Sequence, residues 1–506
     1  MVAGGPPPSI AQTGMSELQR RRWRVLLVTS VGAFMGPLDA SIVAVALPAI
    51  GPSLHLSFTE ALWVQAAYLL AIAIFLIPAG RIADMRGRLR FYMLGVVIFA
   101  LASLGAALSP NGTWLITART IQGIGGALLG ATSAAVVTAV FPPQERGRAL
   151  GINVMAVYIG LTAGPPLGGL LVTHLSWHWI FLVNVPVAII TLAAGWDLLG
   201  AEARDRIGSS RGRLADVDFI GAALLGLTLA ALFVPLTFSL FWGWTKPVTI
   251  GLLAASAVFL VVFILVEDRV AHPILDLDLV RKNRLFAAAN FAALLNYMAM
   301  YGIAVFTALF LEIVQGRSAQ AAGFILLAEP LIMAALSPLS GRLSDRLGSR
   351  LLATSGMVLV AWGMAQLALL PTDASLRRTL LALVTLGLGM AAFSAPNTSA
   401  VMGSVRRSQL SLASGFLGTM RVVGQGVSVT LLGAVVASHL GANGGQVILG
   451  HGGVGKATAL AYAEGYRQAM FLGAALALVG AGVSLVRGAR TPAASSPDAP
   501  AGPAGS

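Results

Sequence analysis

A few charged side chains stand inside long apolar stretches of this 506-residue chain. Such groups can do chemistry that needs an ionisable side chain away from water. Desolvation favours the protonated form of a carboxyl group, and a nearby guanidinium favours its ionised form, so the group can be tuned to bind and release protons. An ionised carboxylate in an apolar cavity can also hold a lipophilic cation. The candidates for these roles are Asp39, Glu329, Arg421, Arg119 and Glu312.

The stretches around these charges have the length of membrane spans. The chain is 57% hydrophobic and 10% charged, with a mean hydropathy of +0.83, whereas soluble domains carry roughly a quarter charged residues. About twenty apolar residues cross the hydrocarbon core of a bilayer. Fourteen such stretches are predicted, near 25–47, 61–80, 91–109, 114–135, 149–172, 180–199, 219–239, 249–266, 286–311, 320–340, 351–370, 380–402, 411–437 and 468–487.

Depth within the spans sorts the charged candidates. At a helical rise of about 1.5 Å per residue, Glu329 and Arg421 lie near the membrane midplane and Asp39 slightly beyond it. Arg119 lies close to the end of its span, where it can snorkel to the surface, and Glu312 lies at an outer end that water can reach. Asp39, Glu329 and Arg421 are therefore the predicted central residues. The alternative is that Glu329 and Arg421 only form a structural ion pair.

Lys and Arg are distributed unevenly between the predicted loops. With the N-terminus inside, inner segments hold 25 of the 33 basic residues and outer loops hold 6. Because cytoplasmic loops of membrane proteins are enriched in Lys and Arg, both termini are predicted to be cytoplasmic. This bias also explains much of the net charge of +13 without nucleic acid. The Pro-, Gly-, Ala- and Ser-rich ends, 1–23 and 489–506, are predicted to be disordered tails.

One loop motif occurs twice. The sequence from Gly80 through Asp84 to Gly87 and that from Gly341 through Asp345 to Gly348 share the pattern G-R-[IL]-[AS]-D-x-x-G, 261 residues apart. Repeated loops of this kind indicate a transporter made of two homologous halves. The prediction is an all-α fold with six-helix bundles over 24–200 and 285–488, joined by a linker, 201–284, that carries two extra spans.

These motifs resemble those of the fourteen-helix drug:proton antiporters of the major facilitator superfamily, the QacA and EmrB relatives, over essentially the whole chain. The first loop, with Arg88, is similar to that family's motif A. Arg119-Thr-Ile-Gln-Gly-Ile-Gly-Gly-Ala127 resembles motif B, and residues 38–48 resemble the signature of the fourteen-helix branch. The stretch 177–186 resembles a further family segment. The antiporter motif C is represented by Gly160, Gly164, Pro165, Gly168 and Gly169.

The resemblance implies proton-coupled efflux of hydrophobic, cationic drugs or toxic compounds across a bacterial inner membrane. It implies a monomer with no cofactor, energised by the proton gradient, and no catalytic or metal site. Whether a periplasmic adaptor takes part is left open. Ala44 and His178 depart from the family, which usually has Asn and Arg there, so the substrate is also left open.

Each motif also has a physical interpretation. Asp84 and Asp345 can cap a helix N-terminus and pair with a neighbouring Arg, forming latches that break when the halves rock apart; simple tight turns are the alternative. Gly160, Gly164 and Gly168 share one helix face and allow a facing helix to approach closely. This span is predicted to be a thin, bendable helix at the interface between the halves, and ordinary membrane packing is the alternative.

Other functions are weighed against efflux. Export of an endogenous metabolite, a lipid-like molecule or an amphipathic anion would use the same cycle, and uptake by symport is a further alternative. A membrane enzyme or sensor would need a constellation of nucleophile, metal ligands or paired carboxylates in the spans. The six His residues are scattered and Cys is absent, which argues against an enzyme.

Overall fold

The computed structural model describes residues 17–56, 58–205, 218–270, 273, 277–317, 319–440 and 455–486. Every regular element in these ranges is a helix, and fourteen helices among them are long and apolar enough to cross a membrane. The all-α class and the number of spans are thus confirmed. The spans, labelled in chain order, are α1 Arg22–Ser53, α2 Phe58–Arg86, α3 Arg88–Ala107, α4 Gly112–Val140, α5 Arg146–His174, α6 Asn184–Asp205, α7 Phe219–Trp242, α8 Pro247–Glu267, α9 Arg284–Leu309, α10 Ala319–Leu326 with Ala328–Leu347, α11 Ser349–Ala368, α12 Leu376–Gly403, α13 Leu410–Leu440 and α14 Lys456–Leu485.

Side chains and glycines fix where several helices begin. The carboxamide oxygen of Asn111 accepts the Trp114 backbone N–H at 2.9 Å to start α4, as an N-cap does. Gly87 and Gly348 stand between α2 and α3 and between α10 and α11, with φ of 111° and 87°. These values lie in the region that favours glycine, so each motif glycine allows one span to turn into the next within a single residue.

The helix contacts repeat with an offset of eight. The pair α1–α5 packs as α9–α13 does, α2–α4 as α10–α12, and α3–α4 as α11–α12. Two further pairs, α2–α13 and α5–α10, join the first six helices to the last six. The chain thus forms two similar helix groups whose seam runs along these two pairs, in agreement with the repeated loop motif.

The inserted helix α7 lies across one side of that seam. It packs against both α2 and α13. The ring of Phe233 fits against Gly426 of α13, 3.0 Å from where a β-carbon would stand, and Ile74 of α2 lies 3.1 Å from the corresponding position on Gly226. Thr430 donates a hydrogen bond to the Leu236 carbonyl at 2.5 Å. In contrast, α8 packs mainly on α7 and leaves most of its apolar side chains exposed.

The predicted N-terminal tail extends too far. Residues Glu17–Arg20 are helical and α1 begins at Arg22. The reason is electrostatic: Arg21 and Arg24 bind the carboxylate of Asp197 at 2.6 and 2.8 Å, which holds the start of α1 against α6. Residues 1–16 of the predicted N-terminal tail and all of the predicted C-terminal tail, 489–506, lie outside the described residues.

Candidate functional site

Asp39 lies in a fully buried polar network within the first helix group. Its carboxylate forms a salt bridge with Arg119 of α4. Gln122, one turn further along α4, donates to it at 2.8 Å, and Asn184 at the start of α6 donates at 3.0 Å. Both carboxylate oxygens are therefore occupied, as a buried ionised carboxylate requires.

Arg119 does not snorkel to the surface, so that expectation is wrong. Its side chain is 0% exposed. The Nε atom donates to the Val64 carbonyl at 3.0 Å, and the guanidinium stands 4.2 Å from the centre of the Tyr68 ring. The carboxylate of Asp39, the Val64 carbonyl and the Tyr68 ring surround the buried cation and hold it inside the bundle.

Glu329 stands beside an interruption of α10. The helix breaks at Leu327 and restarts at Ala328, so Glu329 lies in the first turn of the second segment. Pro330 follows in that turn, where its missing N–H interrupts little helical bonding. The Glu329 backbone packs against α12, its carbonyl oxygen 2.7 Å from the β-carbon position of Gly387. The carboxyl group is half-buried and, among the described residues, has no hydrogen bond or ion pair.

Arg421 does not pair with Glu329, so the proposed structural ion pair is wrong. Its Nη2 donates to the Thr398 hydroxyl of α12 at 2.8 Å. Because Gly387 and Thr398 are eleven residues apart along α12, the contacts of Glu329 and Arg421 lie about 16 Å apart along that helix. The structure therefore groups Asp39 with Arg119 and places Glu329 and Arg421 separately.

Glu312 lies in a short π-helical segment, Phe310–Val314, that continues α9. It is half-buried and forms no hydrogen bond or ion pair with any described residue. The segment is held by stacking of Phe310 on Tyr466, with ring centres 4.7 Å apart. Its position at the end of α9 agrees with the depth inferred from the sequence.

Asp84 forms the helix cap that the sequence predicts. It lies at the end of α2, 1% exposed, and accepts the backbone N–H groups of Ser411 at 3.0 Å and Leu412 at 2.9 Å, in the first turn of α13. Arg88 binds the same carboxylate at 2.8 Å and donates to the Arg407 carbonyl. A carboxylate at a helix N-terminus is stabilised by the helix dipole, so Asp84 holds the two halves together here.

Asp345 makes the corresponding contact on the other side. Its two oxygens accept the backbone N–H groups of Gly147 at 3.0 Å and Arg148 at 3.2 Å, at the start of α5. Gly341 lies so close to the Gly147 backbone that no side chain fits between them. The two caps are related by the eight-helix offset, and both lie at the end of the bundle that carries Arg86 and Arg342, termed the basic face here.

Glu202 is a functional candidate that the sequence reasoning missed. At the end of α6, its carboxylate accepts the N–H of Leu89 at 2.7 Å and of Arg90 at 3.1 Å. It thus caps α3 directly behind the motif that holds Asp84. An acidic residue at the end of an apolar span was the only signal in the sequence, and it does not reveal which helix the residue caps.

The glycines of α5 pack against α1. A β-carbon on Gly160 would meet the Phe34 carbonyl, one on Gly164 would meet Ser41, and one on Gly168 would lie 3.0 Å from Ile42. All these partners belong to α1, in the same half. The glycine face therefore packs within one half, whereas the α5 helix lies at the interface between the halves through its contacts with α10, as the sequence predicts. The β-carbon position of Gly169 is open, and Pro165 lies inside the α5 helix.

Comparison with known proteins adds to this geometry. The family model described as Major Facilitator Superfamily matches residues 29–429 and 289–505. Multidrug resistance protein Stp of Mycobacterium tuberculosis (strain ATCC 25618 / H37Rv) is 35% identical over 84% of this chain and 78% of its own length. The tetracenomycin C resistance and export protein of Streptomyces glaucescens is 33% identical over 86% of this chain and 80% of its own.

A solved structure shares the fold. The human organic anion transporter MFSD10 superimposes with a TM-score of 0.64 at 16% identity, covering 92% of this chain and 99% of that one. At this identity the likeness concerns the helix arrangement alone. The sequence matches and the fold agree with each other over most of the chain.

Proposed function

Because this chain belongs to the major facilitator superfamily of membrane transporters, we propose that it exports hydrophobic, cationic compounds in exchange for protons. The Glu329 carboxyl group carries the proposal. It lies in the first turn after a helix interruption, half-buried, with no partner among the described residues. In transporters, interrupted helices of this kind line substrate and coupling-ion sites, and a carboxyl group without a fixed partner is free to bind a proton or a cation in turn.

The two caps support transport by alternating access. Asp84 and Asp345 each join an end of one half to a helix start in the other, and both act at the basic face. Because Lys and Arg favour the cytoplasmic side, we assign the basic face to the cytoplasm of a bacterial inner membrane, with both termini on that side. The described conformation is then the one closed towards the cytoplasm. Breaking both caps opens the transporter at the basic face.

The Asp39 network plays a different part in the proposal. Its carboxylate is saturated by Arg119, Gln122 and Asn184, so it cannot accept a substrate cation without losing these contacts. We therefore assign Asp39 and Arg119 to holding α1, α4 and α6 in register. Proton exchange is assigned to Glu329.

A paired substitution tests the proposal. Glu329→Gln keeps the side-chain shape and removes both charge and titration, and it leaves no charged partner behind. We expect normal expression and thermal stability but loss of gradient-driven efflux of a cationic dye. The control is Glu464→Gln, an exposed residue of α14 paired with Arg467 at 3.0 Å, which should export dye normally. A stable Glu329→Gln protein that exports dye at the wild-type rate would refute the assignment.

A further inference from the structure

The guanidinium of Arg421 lacks an anionic partner. Of its donors, Nη2 binds the Thr398 hydroxyl at 2.8 Å, while Nε is enclosed without a hydrogen-bond partner. No carboxylate forms an ion pair with it in the part of the chain that the structure describes. A cation within a membrane span is costly unless it is paired. The site is therefore electrostatically incomplete, and an acceptor that carries negative charge would complete it.

Aromatic rings and hydroxyl groups surround this cation. The centre of the Tyr297 ring lies 5.8 Å from the guanidinium carbon. Tyr297 is held in place by α13, because the β-carbon position of Gly424 lies only 2.8 Å from its β-carbon. Tyr158, from α5 of the opposite half, lies within electrostatic range of Tyr297 and Arg421. Its buried hydroxyl lies close to Ser394 and Tyr297.

These three residues therefore join the two halves and offer one fixed cation and two aromatic rings, one of them with its hydroxyl beside Ser394. An Arg guanidinium presents planar paired donors that match a carboxylate. Aromatic side chains stack on planar ring systems. Since Tyr158 and Arg421 come from opposite halves, a ligand that binds both contacts the two bodies whose relative motion drives transport.

We propose that Arg421, Tyr158 and Tyr297 form a subsite for the acid group of an aromatic substrate. This inference rests on the proposed export function and adds to its cationic substrates aromatic compounds that also carry an acid group. The acid group binds Arg421, and the ring system of the substrate lies against Tyr297. Arg421 is then a specificity-determining residue and not a proton carrier.

Two dyes provide a matched test. Rhodamine 110 has a free carboxylate, and rhodamine 123 is its methyl ester with the same ring system. Binding of each to the purified protein is measured by fluorescence anisotropy, and uptake of each into proteoliposomes is measured under an imposed pH gradient. The variants are Arg421→Gln, Arg421→Lys and Tyr158→Phe, with exposed Arg467→Gln as the control.

Arg421→Gln should weaken binding of rhodamine 110 relative to rhodamine 123 by roughly tenfold or more, the effect of losing a hydrogen bond to a charged group. Arg421→Lys should show a smaller selective loss because it keeps the charge without the paired donors. Tyr158→Phe removes only a hydroxyl and should lower rhodamine 110 binding by a few-fold. This variant still tests the subsite if Arg421→Gln does not fold. Arg467→Gln should leave the ratio unchanged.

An unchanged ratio of the two affinities in the folded Arg421 and Tyr158 variants would overturn the subsite. The export proposal fails separately, if the pH gradient drives neither dye in the wild-type protein. Because binding is measured without a gradient, selective loss of rhodamine 110 binding would support the subsite even in that case.

Discussion

Replacing Asp84 by Asn should open the transporter at its basic face. The carboxylate accepts two backbone N–H groups of α13, from Ser411 and Leu412, and is paired with buried Arg88. Asn keeps one acceptor oxygen but presents an N–H₂ group to the second N–H, and it removes the salt bridge to Arg88. In the open conformation the side chain is solvated, so the substitution costs little there.

The size of the effect follows from these contacts. A hydrogen bond to a charged group contributes about 1.5–3 kcal/mol. With one acceptor retained and the ion pair lost, the closed state should be weakened by about 2–4 kcal/mol. Since 1.4 kcal/mol is a factor of ten, the ratio of closed to open molecules should fall about 30- to 700-fold.

The absence of Cys from the sequence makes the assay direct. Spin labels at Gln144→Cys and Gly403→Cys report the distance between the halves at the basic face. Both positions are exposed, and a β-carbon on Gly403 meets nothing within 4 Å. Double electron–electron resonance should show a shift to longer distances in Asp84→Asn.

The control for this experiment is Asp268→Asn, in the segment after α8. Hydrogen bonds from Arg281, at 2.7 and 2.9 Å, hold the pKa of the Asp268 carboxyl below its usual range. This pair is exposed and joins no helices of the two halves, so its loss should leave the distances unchanged. Identical distance distributions in wild type and in well-folded Asp84→Asn would show that the cap does not hold the halves closed.

Three further predictions concern other parts of the molecule. Asp39→Asn leaves Arg119 buried without its counter-ion, so thermal unfolding in detergent should show a loss of about 3–5 kcal/mol in the free energy of unfolding. Part of this stability should return in the double variant with Arg119→Gln, and unchanged stability of Asp39→Asn would contradict the network. Val258→Leu on the exposed side of α8 should leave dye efflux intact, whereas Phe233→Ala on α7 should lower stability or efflux. If both variants keep wild-type stability and efflux, the packing of α7 against α2 and α13 does not stabilise the contact between the halves. A C-terminal reporter that fluoresces only in the cytoplasm should glow, and a dark but correctly inserted fusion would contradict the assigned orientation.

The helices and the caps could be predicted from the sequence because their signals are local. A run of about twenty apolar residues has one stable form in a bilayer, and this produced the fourteen spans. The repeat around Asp84 and Asp345 places an acidic side chain at matching helix ends, so a cap across the halves was the natural expectation. The arginine that forms a salt bridge with Asp84 is Arg88, from the same motif.

Contacts between distant helices left no comparable signal. Asp39 and Asn184 are 145 residues apart, and spacing along the chain does not show which helix faces which. Depth alone grouped Asp39 with Glu329 and Arg421, but rotation of each helix about its axis decided the actual partners. The same rotation turns Gly160 and Gly164 towards α1.

Proton coupling through Glu329 is tested most directly by proteoliposomes with an acidic interior and an alkaline exterior. The probe is tetraphenylphosphonium, whose charge does not change with pH, so the gradient cannot concentrate it by protonation. Wild-type protein should accumulate the cation inside while protons leave, and collapse of the gradient with nigericin should abolish accumulation. Glu329→Gln should show neither accumulation nor coupled proton release. Accumulation that survives nigericin, or that persists in Glu329→Gln, would contradict proton exchange at this residue.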